Sequence, residues 1–273
     1  MINELKISVA NRSGKTYLKD MFYTRPFKVA HVGEDKADPR LYLMVMSSSP
    51  GILDGDQYEQ TIDLAEDTSL QLQTQSYQRL FQMERGAGQV MKVNMARGSS
   101  FHYIPHPSVP HENSIYKSHN VIRMEEGCSL IWGEIVTCGR KLSGEVFKFK
   151  HFQNLTEVYC AGKLVFKDNL LLSPGYMSMN ALGQFEEFTH QATLFCLNEN
   201  AGTAALTDLI QEQLSVEKNI AFGVTQTAHN GLLVRVLGHG GEQLLRCLNE
   251  LGALYQKKLR AIVAKEEALI LQD

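Results

Sequence analysis

Apolar residues recur with the period of a strand over the first two-thirds of the chain. Residues 4–9 alternate as ELKISV, which predicts a half-buried strand. Residues 41–46 form an unbroken apolar run, as in a strand covered on both faces. The run ends in the turn cluster Ser47-Ser48-Ser49-Pro50-Gly51. Residues 70–75 alternate Leu, Gln, Leu, Gln, Thr, Gln, giving one apolar face and one amide face. Segments 147–152, 157–161, 163–167 and 192–197 predict further strands, with Ala161-Gly162 a tight turn between two of them.

Three phrases repeat within this region: LAEDTSLQL at 64–72, MARGSSFHY at 95–103 and MEEGCSLIW at 124–132. Each has a turn residue (Asp67, Gly98, Gly127), a serine two later (Ser69, Ser100, Ser129) and a large apolar residue next (Leu70, Phe101, Leu130). A second apolar residue follows at Leu72, Tyr103 and Trp132. The steps from Leu70 to Phe101 to Leu130 are 31 and 29 residues. This near-constant period predicts stacked β-layers, a β-helical or solenoid-like body whose units share a core. Neighbouring hairpins of a sandwich are the competing arrangement.

The tail changes period. Leu206, Leu209, Ile210 and Leu214 have helical spacing across residues 207–214. Segments 220–227 and 232–237 read as strands joined at His229-Asn230-Gly231, where Asn-Gly is a hairpin signal. A long helix follows, with Leu244, Leu245, Leu248, Leu251, Tyr255, Leu259 and Ile262 on one face. The expected fold is therefore mainly β with a C-terminal α/β portion containing two helices. No linker-like stretch divides the chain, so residues 1–273 are read as a single domain. Its β body spans 1–200, and its α/β tail, 201–273, shares the core.

Composition narrows the function. A net charge of −3 gives no electrostatic reason to expect nucleic acid as a partner. No apolar run is long enough to cross a membrane, and the first residues are charged where a signal peptide has an apolar core. Cys128, Cys138, Cys160, Cys196 and Cys247 are odd in number and scattered, which fits reduced thiols and a cytoplasmic location.

Candidate chemistry is sparse. Arg12-Ser13-Gly14-Lys15-Thr16 resembles the end of a phosphate-binding loop, but Val9 stands where that loop needs glycine. His102, His106 and His111 lie in HYIPHPSVPH, where Pro105, Pro107 and Pro110 predict an extended loop in place of helix or central strand. Imidazoles suit nickel, copper or zinc, yet the spacing matches no chelating motif; separate surface or partner-facing histidines are the alternative. Asp54 and Asp56 follow a glycine turn and either face a pore or satisfy backbone N–H groups. Glu134 lies within the apolar strand LIWGEIVTC. It calls either for an ion-pair partner, with Arg140 nearest in sequence, or for an internal channel. Glu186, Glu187 and His190 form a further polar cluster. There is no GxSxG and no recognisable nucleophile or acid–base dyad, so the chain is read as an assembly protein and not an enzyme.

In their order and spacing these landmarks resemble the urease accessory proteins of the UreD family, called UreH in some bacteria. The resemblance is carried by Ser49-Pro50-Gly51-Ile52-Leu53-Asp54-Gly55-Asp56, Thr74-Gln75-Ser76, the PHPSVP loop with Pro105, Pro107 and Pro110, and Gly133-Glu134-Ile135 before Gly139-Arg140. It continues through Asp168-Asn169-Leu170-Leu171-Leu172-Ser173-Pro174, Thr189-His190 and Gly231-Leu232-Leu233-Val234-Arg235-Val236-Leu237. Arg79 departs from the lysine usual in the family, and His111 from the aromatic. The resemblance implies a β-helical body with two helices. It implies a scaffold that binds apo-urease, a UreF-like partner and a UreG-like GTPase. It also implies that nickel(II) passes transiently through an internal tunnel, with no tightly bound cofactor. Asp54, Asp56, His102, His106, His111, Glu134, Glu187 and His190 are the residue types such a weak path needs. Carbohydrate-active enzymes on stacked β folds and cupin-like metalloenzymes are the alternatives. The residues after each apolar anchor, Gln71, His102 and Ile131, lack the acidic pattern of the first, and the paired metal histidines of the second are missing.

Overall fold

The three repeated phrases lie side by side as parallel strands. A computed structural model describes the backbone of residues 2–35, 37–198 and 204–270, and the side chains of 2–35, 37–198 and 206–258. Leu70 pairs with Phe101 and Phe101 with Leu130; Leu72, Tyr103 and Trp132 form the next row. The turn residues Asp67, Gly98 and Gly127 have φ of 52°, 69° and 72°. That left-handed region costs an ordinary side chain about 1–2 kcal/mol, which explains glycine or aspartate at each turn. The Asp67 N–H donates to the Arg97 carbonyl at 3.0 Å and the Gly98 N–H to that of Glu126 at 3.3 Å, so each turn bonds to the next.

The described strands run in chain order as β1 (Ile2–Arg12), β2 (Lys15–Tyr23), β3 (Phe27–His31), β4 (Leu41–Ser47), β5 (Gln57–Leu64) and β6 (Ser69–Thr74). Next come β7 (Gln78–Leu80), β8 (Ala87–Met95), β9 (Ser100–Tyr103), β10 (Ser108–Pro110), β11 (Ile115–Met124) and β12 (Ser129–Thr137). Then follow β13 (His151–Cys160), β14 (Lys163–Leu172), β15 (His190–Asn198), α1 (Ala204–Ser215), β16 (Ala221–Thr227), β17 (Gly231–Gly238) and α2 (Gly241–Ile270). From β4 to β13 the main strands alternate between two sheets. One has the order β14-β13-β11-β8-β5-β1-β2, the other β16-β17-β15-β12-β9-β6-β4-β3. The centres of both are parallel; β2, β14, β3, β15, β16 and β17 add antiparallel pairs at the flanks.

Parallel register stacks like residues into rows that face the space between the sheets. In the first sheet Val9, Leu64, Met95, Met124 and Cys160 make one row, and Ile7, Ile62, Val93, Ile122 and Val158 the next. In the second, Leu41, Leu70, Phe101, Leu130 and Leu197 oppose them. These residues form the main core; each fully buried large side chain contributes about 1.5–3 kcal/mol. A second core lies on the outer face of the second sheet. There Ile131, Ile135, Leu194 and Val234 meet Leu206, Ile210 and Leu214 of α1 and Leu244, Leu248, Leu251 and Tyr255 of α2.

Several expectations need correction. Residues 41–46 are covered on one face only: Leu41, Leu43 and Val45 are buried, while Tyr42, Met44 and Met46 are half-exposed methionines and tyrosine that tolerate a wet face. Segment 147–152 is strand only in its last two residues. Phe147 turns with φ of 53°, and one strand from His151 to Cys160 replaces the two expected. The histidine–proline segment contains a strand after all. β10 pairs with β7 at three positions and with β12 only at Ser108, so Pro107 and Pro110 sit at its margins. The hairpin loop is Ala228-His229-Asn230, the last two at positive φ, and Gly231 of the expected turn is already the first residue of β17, paired with Thr227. The side chains of Leu259 and Ile262, and the body–tail boundary near residue 200, lie outside the described residues.

Gly51 shows how tightly the serine–proline turn is seated. A Cβ there would lie 2.4 Å from the Arg79 carbonyl oxygen and 2.8 Å from the Phe81 ring. The neighbouring Ile52 N–H donates to that same carbonyl at 2.8 Å. Gly51→Ala is therefore expected to destabilise by about 1–3 kcal/mol. Gly175→Ala, whose Cβ meets nothing within 4 Å, should stay within about 0.5 kcal/mol of wild type. Denaturant midpoints of the two variants check the contrast.

Candidate functional site

Towards the other end of the strands the interior rows turn polar. Tyr58, Gln89, Ser118 and Asn154 are register partners across the first sheet, and Gln60, Met91, Asn120 and Thr156 form the row beside them. Across the gap, Glu134 of β12 pairs in register with Thr193 of β15, and Thr74 of β6 continues the inward face of Leu70 and Leu72. Two adjoining cavities of about 90 and 110 Å³ occupy this space. Both are lined by Thr74, Ser76, Gln78, Gln89 and Tyr103. The first extends to His106, Asn120, Asn154 and Glu134; the second to Ser47, Ser49, Gly51, Tyr58 and Gln60 at the serine–proline turn. A polar cavity of this size holds several waters.

Glu134 is the one carboxylate on either lining. Its Oε1 accepts hydrogen bonds from Trp132 Nε1 at 2.7 Å and from the Thr156 hydroxyl. The residue retains accessible surface although protein surrounds it, because that surface faces the cavity. Burial raises its pKa from 4.5 to about 7, against the two hydrogen bonds, which favour the anion. The Asp168 carboxylate raises it further and the Arg235 guanidinium opposes that. Those two residues form a 2.6 Å ion pair that bridges β14 and β17, one strand from each sheet. Glu134 is therefore poised between neutral and anionic forms near neutral pH.

The expected Glu134–Arg140 pair does not form. Arg140 instead makes a two-pronged bond to Glu145, whose carboxylate it holds below the usual range. The chain leaves β12 at Thr137 and Gly139 turns it away, which carries Arg140 to the surface while Glu134 points inward.

The three loop histidines occupy three separate places. His106 lines the first cavity, with Nδ1 3.0 Å from the Thr74 hydroxyl; burial lowers its pKa, with Glu242 opposing. His102 lies on the opposite face of the sheet, beneath α2, with Nδ1 2.7 Å from Gln256 Nε2. Gln256 in turn accepts from Arg40 Nη1 at 2.8 Å. Burial and the Arg40 charge lower the pKa of His102 to about 4, so it is neutral. His111 is buried and packs edge-on against Phe81 at 4.8 Å, on the outer face of the second sheet.

The remaining candidates are also dispersed. Asp54 accepts from the backbone N–H groups of Glu84, Arg85 and Gly86, at 2.9–3.1 Å. Asp56 accepts from the Leu53 N–H at 2.8 Å and the Tyr58 hydroxyl at 3.3 Å. Both thus cap turns, and Asp56 holds a tyrosine that lines the second cavity. Glu187 is exposed, Glu186 accepts from the Gly183 N–H, and His190 is buried with a pKa lowered to about 4, first by burial and then by Lys141 and His239. Among the described residues, no three His, Cys, Asp or Glu side chains gather into a chelating cluster. None of the five cysteines is in a disulfide and all are buried, and no described helix is long and apolar enough to cross a membrane.

The lining residues that sequence reasoning missed include the amides and hydroxyls Gln60, Gln89, Ser118, Asn120 and Asn154, with Thr156 behind them bonded to Glu134. Their signal lay in phase. In β11 the buried positions run Tyr116, Ser118, Asn120, Ile122 and Met124, so polar residues fill two successive inward sites. Asn154 and Thr156 do the same in β13 and face them in register. Asn120 donates to both at 3.0 Å.

Comparison with known proteins places the chain in a family. The family model for the UreD urease accessory protein matches residues 3–270. A relative from Flavobacterium johnsoniae named urease accessory protein UreD is 53% identical over 260 residues, covering 95% of this chain and 92% of its own. Proteins of the same name from Haemophilus influenzae and Acetivibrio thermocellus are 38% and 34% identical, covering 91% and 89% of this chain and 97% and 92% of their own. With a family match over nearly its whole length and a relative sharing more than half its residues, the chain belongs to the UreD family of urease accessory proteins.

Proposed function

We propose that this chain is a cytoplasmic scaffold of urease maturation. It binds apo-urease and a complex of a UreF-like protein with a UreG-like GTPase, and it passes nickel(II) through its interior. The observation that carries the reading is the single carboxylate, Glu134, on a cavity otherwise lined by amides, hydroxyls, one imidazole and apolar groups. A cargo ion needs donors that replace part of its water shell, yet it must leave again. Oxygen donors of uncharged amides and hydroxyls bind nickel(II) weakly, and one anion supplies a resting point without chelation. A carboxylate with a pKa about 7 must also lose its proton to receive the cation, which weakens the hold further.

Three outcomes test this. Glu134→Gln keeps the shape and the acceptor for Trp132 and Thr156 while removing the charge. It should fold, retain its UreF-like partner in pull-down, and leave urease with clearly less nickel by elemental analysis; full loading with normal complex formation would reject the conduit. Calorimetry of the isolated chain should give nickel affinity in roughly the micromolar range or weaker, rising with pH through about 7; a nanomolar site would point to a metalloenzyme.

The third outcome concerns stability. The folded-state pKa of Glu134 is raised, so the stability its protonated form contributes is complete below about 4.5 and lost as pH rises through about 7. Wild type and Glu134→Gln should melt together near pH 4.5, and the variant should melt higher above pH 7, by about 2–4 °C per kcal/mol of charging cost. Parallel melting curves across that range would show that Glu134 titrates as an ordinary surface carboxylate.

A further inference from the structure

On the outer face of the second sheet, beyond the part that α2 covers, β7, β10 and the end of β12 border an open groove of about 560 Å³. Its wall is aromatic and aliphatic: Tyr77, Phe81 and Val109, with the neutral ring of His111 against Phe81. Leu142 stands at the rim and is fully exposed, on a short turn at Lys141–Ser143 that buries no side chain.

The formal charges on its lining have one sign. Arg79, Arg140 and Lys141 line the groove and no carboxylate does. Arg140 is neutralised from behind by Glu145, and Glu242 bonds the Tyr77 hydroxyl at the far end. Arg79 is exposed and has no carboxylate partner among the described residues; Lys141 reaches only the Thr189 hydroxyl, at 3.4 Å. On the floor, burial lowers the pKa of His111 first, with Arg140 and Arg79 adding to it and Glu145 opposing; burial likewise lowers that of His190, with Lys141 and His239 adding to it. An apolar cleft between two cations that lack acidic partners is incomplete without a negative, apolar-bearing occupant.

We infer that this groove docks an acidic segment of a partner polypeptide, whose carboxylates meet Arg79 and Lys141 and whose apolar side chain packs between Phe81, Val109 and Leu142. The site lies on the opposite face of the sheet from the Glu134 cavity and does not rest on the nickel reading.

The test uses the full chain and two short labelled peptides, one alternating glutamate with leucine and one alternating lysine with leucine, followed by fluorescence anisotropy. The acidic peptide should bind and weaken steeply with added salt, and the lysine peptide should not bind. In the double variant Arg79→Glu, Lys141→Glu the acidic peptide should lose roughly tenfold or more in affinity, and the lysine peptide should gain. Zero-length carbodiimide coupling to the wild-type protein, which needs no variant to fold, should join the acidic peptide to Lys141. The inference is overturned if both peptides bind alike, if charge reversal leaves acidic binding unchanged, if coupling falls on other lysines and spares Lys141, or if citrate alone displaces the peptide completely at equal concentration, the mark of a small-anion site.

Discussion

Parallel register is the constraint on which the rest of this structure depends. Once Leu70, Phe101 and Leu130 stand beside one another, every inward position of one strand meets the same position of the next. A row is then apolar or polar along its whole length, and a slip of one residue would exchange inside for outside in every strand. The left-handed turns at Asp67, Gly98 and Gly127 hold the register, since each bonds to its neighbour through the backbone. The interior is consequently divided along the strand direction, with a dry end of aliphatic rows and a wet end of amides and hydroxyls.

That division explains why a carboxylate can sit at the centre of an apolar strand. Glu134 follows Leu130 and Trp132 on the inward face of β12, at the next inward position after those two core residues. At the dry end it would be an unpaired buried charge costing several kcal/mol. At the wet end it has a hydroxyl, an indole N–H and a cavity, and burial still raises its pKa to about 7. The Arg235–Asp168 pair closes the flank of the same space and sets a second field on it. Stability is conceded at this position: the interior keeps a void and a poorly solvated acid where an aliphatic row would have packed.

Much of this was legible in the chain. The repeat of turn, serine and apolar residue located the parallel ladder, and the helical spacing of Leu206, Ile210 and Leu214 and of Leu244, Leu248, Leu251 and Tyr255 located the faces that cover the second sheet. Glu134 stood out as a charge in an apolar strand, and it is the candidate that the cavity retains beside His106. Closeness in sequence did not decide which side chains meet. His102, His106 and His111 lie within ten residues, yet the irregular connection at 104–107 between β9 and β10 sends them to the helix side, the cavity and a buried position against Phe81. Arg140 was near Glu134 in sequence only. The lining amides were invisible one strand at a time, because Ser118 and Asn120 become a polar floor only when Asn154 and Thr156 face them across the register.

The most direct measurement is the carboxyl carbon-13 resonance of Glu134, assigned by comparison with Glu134→Gln and followed through a pH titration with and without nickel(II). The expected result is a midpoint near the value of about 7 given by burial against two hydrogen bonds, with nickel(II) broadening or shifting this resonance at lower concentration than those of exposed glutamates. A midpoint at the ordinary 4.5, or a resonance that nickel(II) leaves untouched while it shifts others, would contradict a buried, water-facing carboxylate on the path of the metal.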